Sequence, residues 1–332
     1  MRGPFEASVQ AAIAAGVEFL LQQQDSDGFW REFDLEPGAS EAWTTAWVGW
    51  CLSQSAPRGC THEVRIRSAC GRAVAALCRA RTKGGWGYNR GTGVDADTTA
   101  WVLRFLTACG FRLDAQTYLA PYIDAGGGVH TFRELDFGAW TDAHDDVAAN
   151  VGLALLATAS KPVVDRVQRR LAARFPGETY WWSTQTYGVA WSLRFLNVSH
   201  GLSNEIRSTA CGWIGDLPAS DSSFEVVHRL LATAAIDRSR SASLPLVNRL
   251  LDLRGCCGWP GSSFLLVPPR ETGGPASPNP ELRGLLTTAI CVRLLSEWMG
   301  SVSGRGVRSA FGNMPWCDPT KSGRSAPTPG SR

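Results

Sequence analysis

The apolar residues of this chain recur with helical spacing, in units of roughly 50 residues that each contain two helices. In each unit a first helix is followed by a turn that carries Gly and Trp, and then by a second, more apolar helix. The first unit shows the pattern in Gln24-Asp25-Ser26-Asp27-Gly28-Phe29-Trp30, followed by Trp43-Thr44-Thr45-Ala46-Trp47. A period of this length is typical of stacked or circularised helix pairs.

Five further units follow the first, although the fifth is weak. Their aromatic turns contain, in order, Trp86, Trp140, Trp181, Trp213 and Trp259. Six helix pairs predict an all-α fold, an (α/α)6 barrel in which six inner helices surround a central cavity. The N-termini of the inner helices are expected to meet at one mouth. We predict a single barrel domain over residues 1–300 and a flexible tail rich in Gly, Ser, Pro and Arg over residues 301–332.

Composition narrows the functional class. The 332 residues are 44% hydrophobic and 19% charged, which is typical of a folded globular chain. The net charge of +3 is too small and too scattered to favour nucleic acid or an acidic membrane surface. The N-terminus lacks a signal-peptide pattern and no uncharged apolar run approaches the ~18 residues of a membrane span, so a cytoplasmic location is expected. The ten cysteines lack metal-site spacing and are predicted to be reduced, mostly buried thiols.

Comparison of the repeats separates scaffold from candidate site. The Thr-Thr-Ala element recurs after Trp43, Asp97 and Leu286, which predicts a role in helix packing. The run from Ala100 to Leu106 coincides with the run from Ala190 to Leu196, so Arg104 and Arg194 are also assigned to the scaffold. By contrast, the position of Asp97 varies among repeats, with Trp43, Asp146, Tyr187 and Leu286 as its equivalents. This variation singles out Asp97 and, more weakly, Asp146 as site residues.

Asp95 and Asp97 place two carboxylates two residues apart at the start of a predicted inner helix. Two negative charges at this separation repel each other, so the pKa of one carboxyl group is raised and that group keeps its proton. Helix capping is the alternative explanation, because Asp is common at the N-cap and in the first turn. The residues alone leave both roles open.

Two of these motifs resemble those of a known enzyme family. The run Gln24–Trp30 resembles the QW repeat of squalene-hopene cyclases and related terpenoid cyclases. Asp95-Ala96-Asp97-Thr98-Thr99-Ala100 resembles the DxDD motif of class II, protonation-initiated cyclases, and more closely its DxDTT variant. The resemblance covers about residues 10–298, and protein prenyltransferase β subunits share the barrel.

The resemblance implies a role for each candidate residue. Asp97 would be the general acid that protonates a terminal alkene or epoxide, and Asp95 would be its hydrogen-bonding partner. Thr98 stands where the four-residue motif has its last acid, so charge support for Asp97 is weaker here. Aromatic faces would stabilise the resulting carbocation. The expected substrate-binding residues are Thr98, Trp43, Trp86, Tyr88, Asp146, Tyr187 and Trp259.

The family pattern also sets expectations for partners and cofactors. Class II cyclases usually place the cavity between two helical barrels, and this chain is long enough for one. Either one barrel closes on an isoprenoid by itself, or a second helical-barrel subunit or homodimer supplies the other wall. The chemistry needs no cofactor, and Mg²⁺ is expected only with a diphosphate substrate. Lys83, Arg90 or Arg270 would then hold the diphosphate, and residues 258–270 would form a lid or a rigid connection.

Three alternatives remain open. A protein prenyltransferase β-like subunit would need a zinc site, for which Asp142-Ala143-His144 lacks a cysteine partner. An (α/α)6 glycosidase would use a carboxylate pair such as Asp97 and Asp146, separated by the width of a sugar. A non-catalytic isoprenoid-binding module or cyclase partner subunit would keep the barrel without turnover.

Overall fold

A computed structural model describes residues 3–55, 61–133, 135–271 and 274–302. Residues 303–332, most of the predicted C-terminal tail, lie outside these ranges. Within them the chain forms twelve α-helices, two short antiparallel ribbons and two 3-10 segments, Ala120–Tyr122 and Leu135–Thr141. The helices are α1 Pro4–Gln22, α2 Ala42–Ser55, α3 Thr61–Ala80, α4 Ala96–Ala108, α5 Ala115–Leu119, α6 Asp145–Leu155, α7 Lys161–Arg174, α8 Gln185–Val198, α9 Asn204–Asp216, α10 Ser223–Ile236, α11 Arg240–Asp252 and α12 Leu285–Val302. The ribbons pair β1 Glu32–Leu35 with β2 Gly38–Ser40, and β3 Leu266–Val267 with β4 Ser277–Pro278.

The even-numbered helices form a closed ring. Each packs against the next, from α2 through α4, α6, α8 and α10 to α12, and α12 packs back against α2. The odd-numbered helices lie outside this ring, where each contacts its inner neighbours. The predicted all-α (α/α)6 barrel is therefore confirmed. Because an outer helix runs back between each inner helix and the next, all six inner N-termini lie at one mouth.

The interior of the ring is filled in layers by side chains spaced four and seven residues along each inner helix, as helical periodicity requires. The layer at the N-terminal mouth contains Trp43, Asp97, Asp146, Tyr187, Phe224 and Leu286. The next layer contains Trp47, Trp101, Asn150, Trp191, His228 and Ile290. The four aromatic side chains of this layer contact one another across the barrel. Below these, Trp50 packs with Arg104 and Arg293. The interior of the lower barrel is thus filled by side chains of the protein.

A tryptophan connects outer and inner helices in three of the repeats. The indole N–H of Trp86 donates to the Leu77 carbonyl at 2.7 Å, in the last turn of α3, where helix carbonyls lack internal partners. The Trp86 backbone N–H donates to the Thr99 hydroxyl, which donates back to the Trp86 carbonyl, both at 3.1 Å. The same contacts recur in two other repeats, where Trp30 binds Leu20 and Thr45, and Trp259 binds Leu250 and Thr288. These bonds explain why the Thr-Thr-Ala element recurs.

Among the described residues, α1 is the one helix that is long and apolar enough by length and composition to cross a bilayer. In the barrel it is an outer helix that packs against α12, α3 and α11. Val9, Ile13, Val17 and Leu20 are buried by this packing. The contacts of a barrel helix therefore account for its apolar composition.

The eight cysteines within the described ranges are all free thiols. Cys51, Cys70, Cys109 and Cys291 are buried between helices, and Cys78 is half-buried, as the apolar runs around them predict. The expectation of burial is wrong for Cys211, Cys256 and Cys257, which are exposed. Cys60 and Cys317 lie outside the described ranges.

Replacement of Trp86 by Phe tests the tryptophan connection. The variant should lower the free energy of unfolding by about 2 kcal/mol, because the Leu77 carbonyl loses its donor inside the protein. Urea denaturation measures this loss. Trp213→Phe, at a half-buried position on α9, should cost less, and equal losses in the two variants would argue against the connection.

Candidate functional site

Asp95 is the N-cap of α4. Its backbone is extended (φ −128°, ψ 157°), and its Oδ1 accepts the backbone N–H of Thr98 at 2.6 Å. Burial, helped by the charge of Asp97, raises the pKa of Asp95 to about 7, against the donors of Thr98. The capping interpretation is correct for Asp95, and Thr98 serves the same cap.

Asp97, in the first turn of α4, connects three inner helices. Its Oδ2 accepts the indole N–H of Trp43 on α2 at 2.7 Å. Its Oδ1 accepts the side-chain N–H of Asn150 on α6, also at 2.7 Å. Asn150 donates in addition to the Asp97 backbone carbonyl at 3.1 Å. Asp97 therefore points into the barrel, unlike Asp95, which closes the helix end.

The pKa of Asp97 is raised to about 6, and burial is the main cause. Asn150, Trp43 and the charge of Arg104 act in the opposite direction, because they stabilise the ionised carboxylate. Crowding by Asp95, which the sequence suggested as the cause, is not among these contributions. The Asp97 side chain still keeps part of its accessible surface. An acid with a raised pKa thus borders open space at the mouth.

Asp146 lies close enough to Asp97 for the charge of Asp97 to raise its pKa. Burial is the larger cause, and together they raise the pKa of Asp146 to about 7. Its Oδ2 accepts the backbone N–H groups of Tyr180 and Trp181, both at 3.0 Å, and only 2% of the residue is exposed. Asp146 therefore anchors the turn before α8, and its carboxylate has little surface left for a ligand.

Aromatic rings from helices and loops surround the carboxylate. Trp43 stacks on Trp47 at 5.8 Å and also lies 6.3 Å from Trp182. Trp182 stacks on Tyr187 at 4.2 Å and on Phe224 at 5.0 Å. The charges of Asp97 and Asp146 help burial to raise the pKa of Tyr187, so its ring lies beside both carboxylates. The predicted residues that the structure brings together are therefore Asp97, Trp43, Asp146 and Tyr187.

Two predicted lining residues, Trp86 and Trp259, lie elsewhere, which corrects their assignment. Trp86 and Trp259 are almost fully buried in the connection between outer and inner helices, with their indole N–H groups bound to Leu77 and Leu250. The Tyr88 carbonyl accepts the N–H groups of Glu41 and Ala42 at the start of α2. Its hydroxyl lies near Asp34 and Glu32 of β1, whose charges help burial to raise its pKa. Trp86 and Trp259 therefore belong to the scaffold, because they fill the space behind the inner ring.

Residues 258–270 lie across the N-terminal mouth. The Leu266 N–H donates to the Trp181 carbonyl and the Ser183 N–H to the Phe264 carbonyl, both at 2.8 Å. Further along, the Arg270 carbonyl accepts the N–H of Ala139 at 2.8 Å. The segment is thus both a cover and a well-anchored connection.

The three basic residues considered for diphosphate binding have different surroundings. Arg90 pairs with Glu41 at 2.8 Å, and Lys83 is exposed. Arg270 is exposed and stacks on Phe137 and Trp140, with its guanidinium carbon 5.1 and 5.0 Å from the ring centroids. Of the three, Arg270 is the one attached to the cover of the mouth.

Sequence comparison missed Asn150, Arg104 and Trp182. Arg104 donates to the Asn150 Oδ1 at 2.6 Å, so it belongs to the surroundings of the carboxylate although its segment repeats as scaffold. Asn150 carries a usable signal, because an amide replaces the tryptophan that α2, α4 and α8 have at this layer. Trp182 carries none, since the chain has many tryptophans in turns.

An outer groove of about 830 Å³ lies far from this carboxylate. It is lined by α7 and by residues at the C-terminal ends of α6 and α8, among them Leu156, Val198 and His200. This is the barrel end opposite Asp97. Among the described residues, no group of three or more His, Cys, Asp or Glu side chains has a geometry that would hold a metal ion.

The raised pKa of Asp97 predicts a pH-dependent difference between the wild type and Asp97→Asn. The unfolded chain loses the Asp97 proton near the ordinary aspartate pKa of 3.8, whereas the folded chain keeps it up to a pKa of about 6. Folded protein binds more protons between these values, so this contribution to stability is lost as the pH rises. Between about pH 4 and about pH 8, the free energy of unfolding of Asp97→Asn, measured in urea, should rise by about 2 kcal/mol relative to that of the wild type. The control Asp142→Asn replaces an exposed carboxylate, so its free energy of unfolding should follow that of the wild type across this pH range. If Asp97→Asn also followed the wild type, the raised pKa of Asp97 would be contradicted.

Comparison with known proteins shows the fold. No protein-family model matches the sequence, and a search of curated proteins finds no match. A type II terpene cyclase from Scytonema, MstE, is similar in structure: an arginine-to-alanine variant bound to its substrate geranylgeranyl dihydroxybenzoate has a TM-score of 0.75 at 23% identity, over 89% of this chain and 98% of that one. A tyrosine-to-phenylalanine variant of MstE without ligand has a TM-score of 0.76 at 23% identity, over 89% and 99% of the two chains.

A glycoside-processing enzyme shares the barrel more distantly. An unsaturated glucuronyl hydrolase specific for heparin has a TM-score of 0.57 at 12% identity, over 92% of this chain and 99% of that one. All these similarities establish the all-α toroid.

Proposed function

We propose that this protein is a class II, protonation-initiated terpene cyclase with Asp97 as its general acid. The observation that carries this proposal is the set of partners around the carboxyl group. Trp43 and Asn150 each present an N–H group to Asp97, one to each oxygen. An indole nitrogen donates only, and so does an amide nitrogen. Asp97 is therefore surrounded by donors.

Such an arrangement suits an acid that must protonate a carbon atom. When Asp97 is protonated, neither Trp43 nor Asn150 offers an acceptor for its O–H, so the proton is directed toward the accessible space. When the proton leaves, both donors stabilise the carboxylate that remains. Burial favours the neutral acid beforehand, and an apolar ligand that displaces water raises its pKa further. These properties let a weak base such as an alkene receive the proton.

The aromatic surroundings suit the cation that follows. Proton transfer to the less substituted carbon of the terminal double bond breaks the O–H bond of Asp97 and leaves a tertiary carbocation, which neighbouring double bonds attack to form rings. Loss of a proton from the last cation, or addition of water to it, gives the neutral cyclic product. Such a cation needs π faces and protection from water, and a desolvated cation–π contact contributes about 2 kcal/mol. Trp43, Trp182, Tyr187 and Phe224 supply such rings near Asp97.

The remaining acids support this role without sharing it. Asp95 with Thr98 fixes the start of α4 and so the position of Asp97. Asp146 fixes the turn that carries Trp181 and Trp182. A sugar hydrolase would need a second free carboxylate opposite Asp97. Asp146 is the nearest candidate, but its buried oxygens are bound by backbone N–H groups, which favours the cyclase over the glycosidase.

A prenylated small molecule is the proposed substrate class. The likeness to MstE, described in complex with geranylgeranyl dihydroxybenzoate, supports a prenylated aromatic as well as a prenyl diphosphate. Because that chain matches this one over nearly its whole length, we propose that a single barrel can form the cavity, while a second subunit or homodimer stays a prediction. Mg²⁺ would be required only with a diphosphate, whose charge it would neutralise.

Product analysis in D₂O tests the acid. Purified protein should be incubated with geranyl, farnesyl and geranylgeranyl diphosphates, with and without Mg²⁺, and with geranylgeranyl dihydroxybenzoate. We expect a cyclic product that carries one deuterium on carbon from the protonation step. Asp97→Asn should lower kcat by at least about 100-fold, because it removes the transferable proton.

Two variants serve as controls for this experiment. Asp142→Asn, at the exposed carboxylate, should keep wild-type turnover. Asp97→Asn should still quench tryptophan fluorescence on substrate addition, since the aromatic rings remain. Undiminished cyclisation by Asp97→Asn would rule out the role of this residue, whereas binding without turnover by the wild type would favour the non-catalytic module. Transfer of the prenyl group to a thiol with bound zinc would favour the prenyltransferase.

The pH profile provides a separate check. The active form of Asp97 is protonated and its pKa is about 6, so kcat/KM should fall as the pH rises above that value. The decline should approach about tenfold per pH unit, since kcat/KM reports groups of the free enzyme. A profile that rises through this range would indicate a general base instead.

A further inference from the structure

We propose that Arg104 is a positioning residue that orients the Asn150 amide so that only N–H groups face Asp97. Arg104 lies seven residues after Asp97 on α4 and makes no contact with the carboxylate itself. Its Nη1 donates to the Asn150 Oδ1 at 2.6 Å, and Asn150 then donates to Asp97. This inference rests on the proposed acid role of Asp97.

The chemistry of an amide explains why its orientation needs to be fixed. The side chain of Asn150 has one face that accepts and one that donates, and rotation by half a turn exchanges them. In the exchanged state the amide oxygen would face Asp97 and accept its proton, and Asn150 is fully buried, so no solvent competes. A guanidinium only donates. Arg104 therefore excludes the exchanged orientation, because that orientation would bring two donors together.

Arg104 is held in place by rings. Its guanidinium carbon lies 4.0 Å from the Trp101 ring centroid, 4.3 Å from that of Trp50 and 4.8 Å from that of Trp191. Only 8% of the residue is exposed. Among the residues that the structure describes, Arg104 forms no ion pair with a carboxylate. Its hydrogen-bonding capacity is thus directed to Asn150.

Arg104 stays cationic at neutral pH, because its pKa remains above 7 although its surroundings lower it. Burial, together with the charges of Arg293 on α12 and Arg194 on α8, lowers the pKa of Arg104 to about 9. Tyr187 on α8 and Cys51 on α2 act the opposite way. Glu297 on α12 pairs with Arg194 and Arg293. The positive charge of Arg104 also favours the ionised form of Asp97.

The repeat supplies a matched control. Arg194 occupies the equivalent position on α8, yet its Nη1 donates to Glu297 at 3.1 Å, and a quarter of its side chain is exposed. Residues at the same layer of the same repeat therefore have different partners. Replacement of Arg194 removes a half-buried positive charge from the same end of the barrel and leaves Asn150 untouched.

The experiment compares Arg104→Met with Arg194→Met. Methionine keeps an apolar chain among the tryptophans and removes the donor. The pKa of Asp97 is read from the carboxyl band in infrared difference spectra against Asp97→Asn, which requires no substrate. We expect Arg104→Met to raise this pKa by about one unit, a tenfold change in the proton equilibrium. Arg194→Met should move it much less, and equal shifts would overturn the proposal.

Turnover provides the second readout. Arg104→Met should lower kcat by about tenfold or more, change KM by less than about threefold, and move the alkaline limb of the kcat profile to higher pH. Arg104→Lys keeps a cation that only donates hydrogen bonds, so it should retain more activity. This variant replaces Arg104→Met in the experiment if Arg104→Met fails to fold. Retention of wild-type kcat and pH profile by both folded variants would overturn the proposal.

A double-mutant cycle shows whether Arg104 acts through Asn150. Asn150→Ala removes the amide, so Arg104→Met should then add less than about twofold to the loss of kcat. Fully additive losses would mean that Arg104 acts by another route and would overturn the proposal. If Asp97→Asn proves active, the acid assignment fails, but the infrared pKa still reports whether Arg104 orients the amide beside that carboxyl group.

Discussion

The paired hydrogen bonds from Trp43 and Asn150 to Asp97 are the contacts on which the interpretation of this barrel depends. Each oxygen of the carboxyl group has one donor at 2.7 Å, supplied by the inner helix on either side of α4. An acid for hydrocarbon chemistry must be neutral before the reaction and well stabilised as an anion afterwards. Burial meets the first requirement and the donors meet the second. Both follow from the placement of one side chain between three helices.

The barrel provides this placement because one set of residues holds the helices together and another set forms the candidate site. Trp30, Trp86 and Trp259 bind the last turn of an outer helix and a threonine of the next inner helix with the same set of bonds. Such repeated contacts set the height and rotation of the inner helices. The first inward layer is then free to vary, since its side chains face the interior at the mouth and do not take part in these repeated contacts. Variation among repeats is therefore informative here, because the scaffold around each position is nearly constant.

The sequence predicts the fold well and the site in part. Helical spacing and the recurrent Gly-Trp turn are local signals, so the six helix pairs can be recognised without tertiary information. Asp97 is identified by its difference from Trp43 and Tyr187 in register. Trp86 and Trp259 are misplaced, because their indole N–H groups bind the ends of outer helices behind the ring. Arg104 is missed because its partner, Asn150, is 46 residues away and only the closed ring brings them together.

The barrel interior also places two buried positive charges close together, which lowers the stability of the fold and therefore calls for an explanation. Arg104 and Arg293 are both nearly buried, and burial lowers the pKa of each. The charge of Arg293 also lowers the pKa of Arg104, and Glu297 pairs with Arg293 but not with Arg104. Apolar side chains at these positions would be expected to stabilise a barrel whose interior is otherwise aromatic. Trp50 lies against both guanidinium groups and partly replaces the missing counter-ion. A cation kept in the core at such a cost, and hydrogen-bonded toward the carboxylate, is best explained by what it does for the acid two turns away.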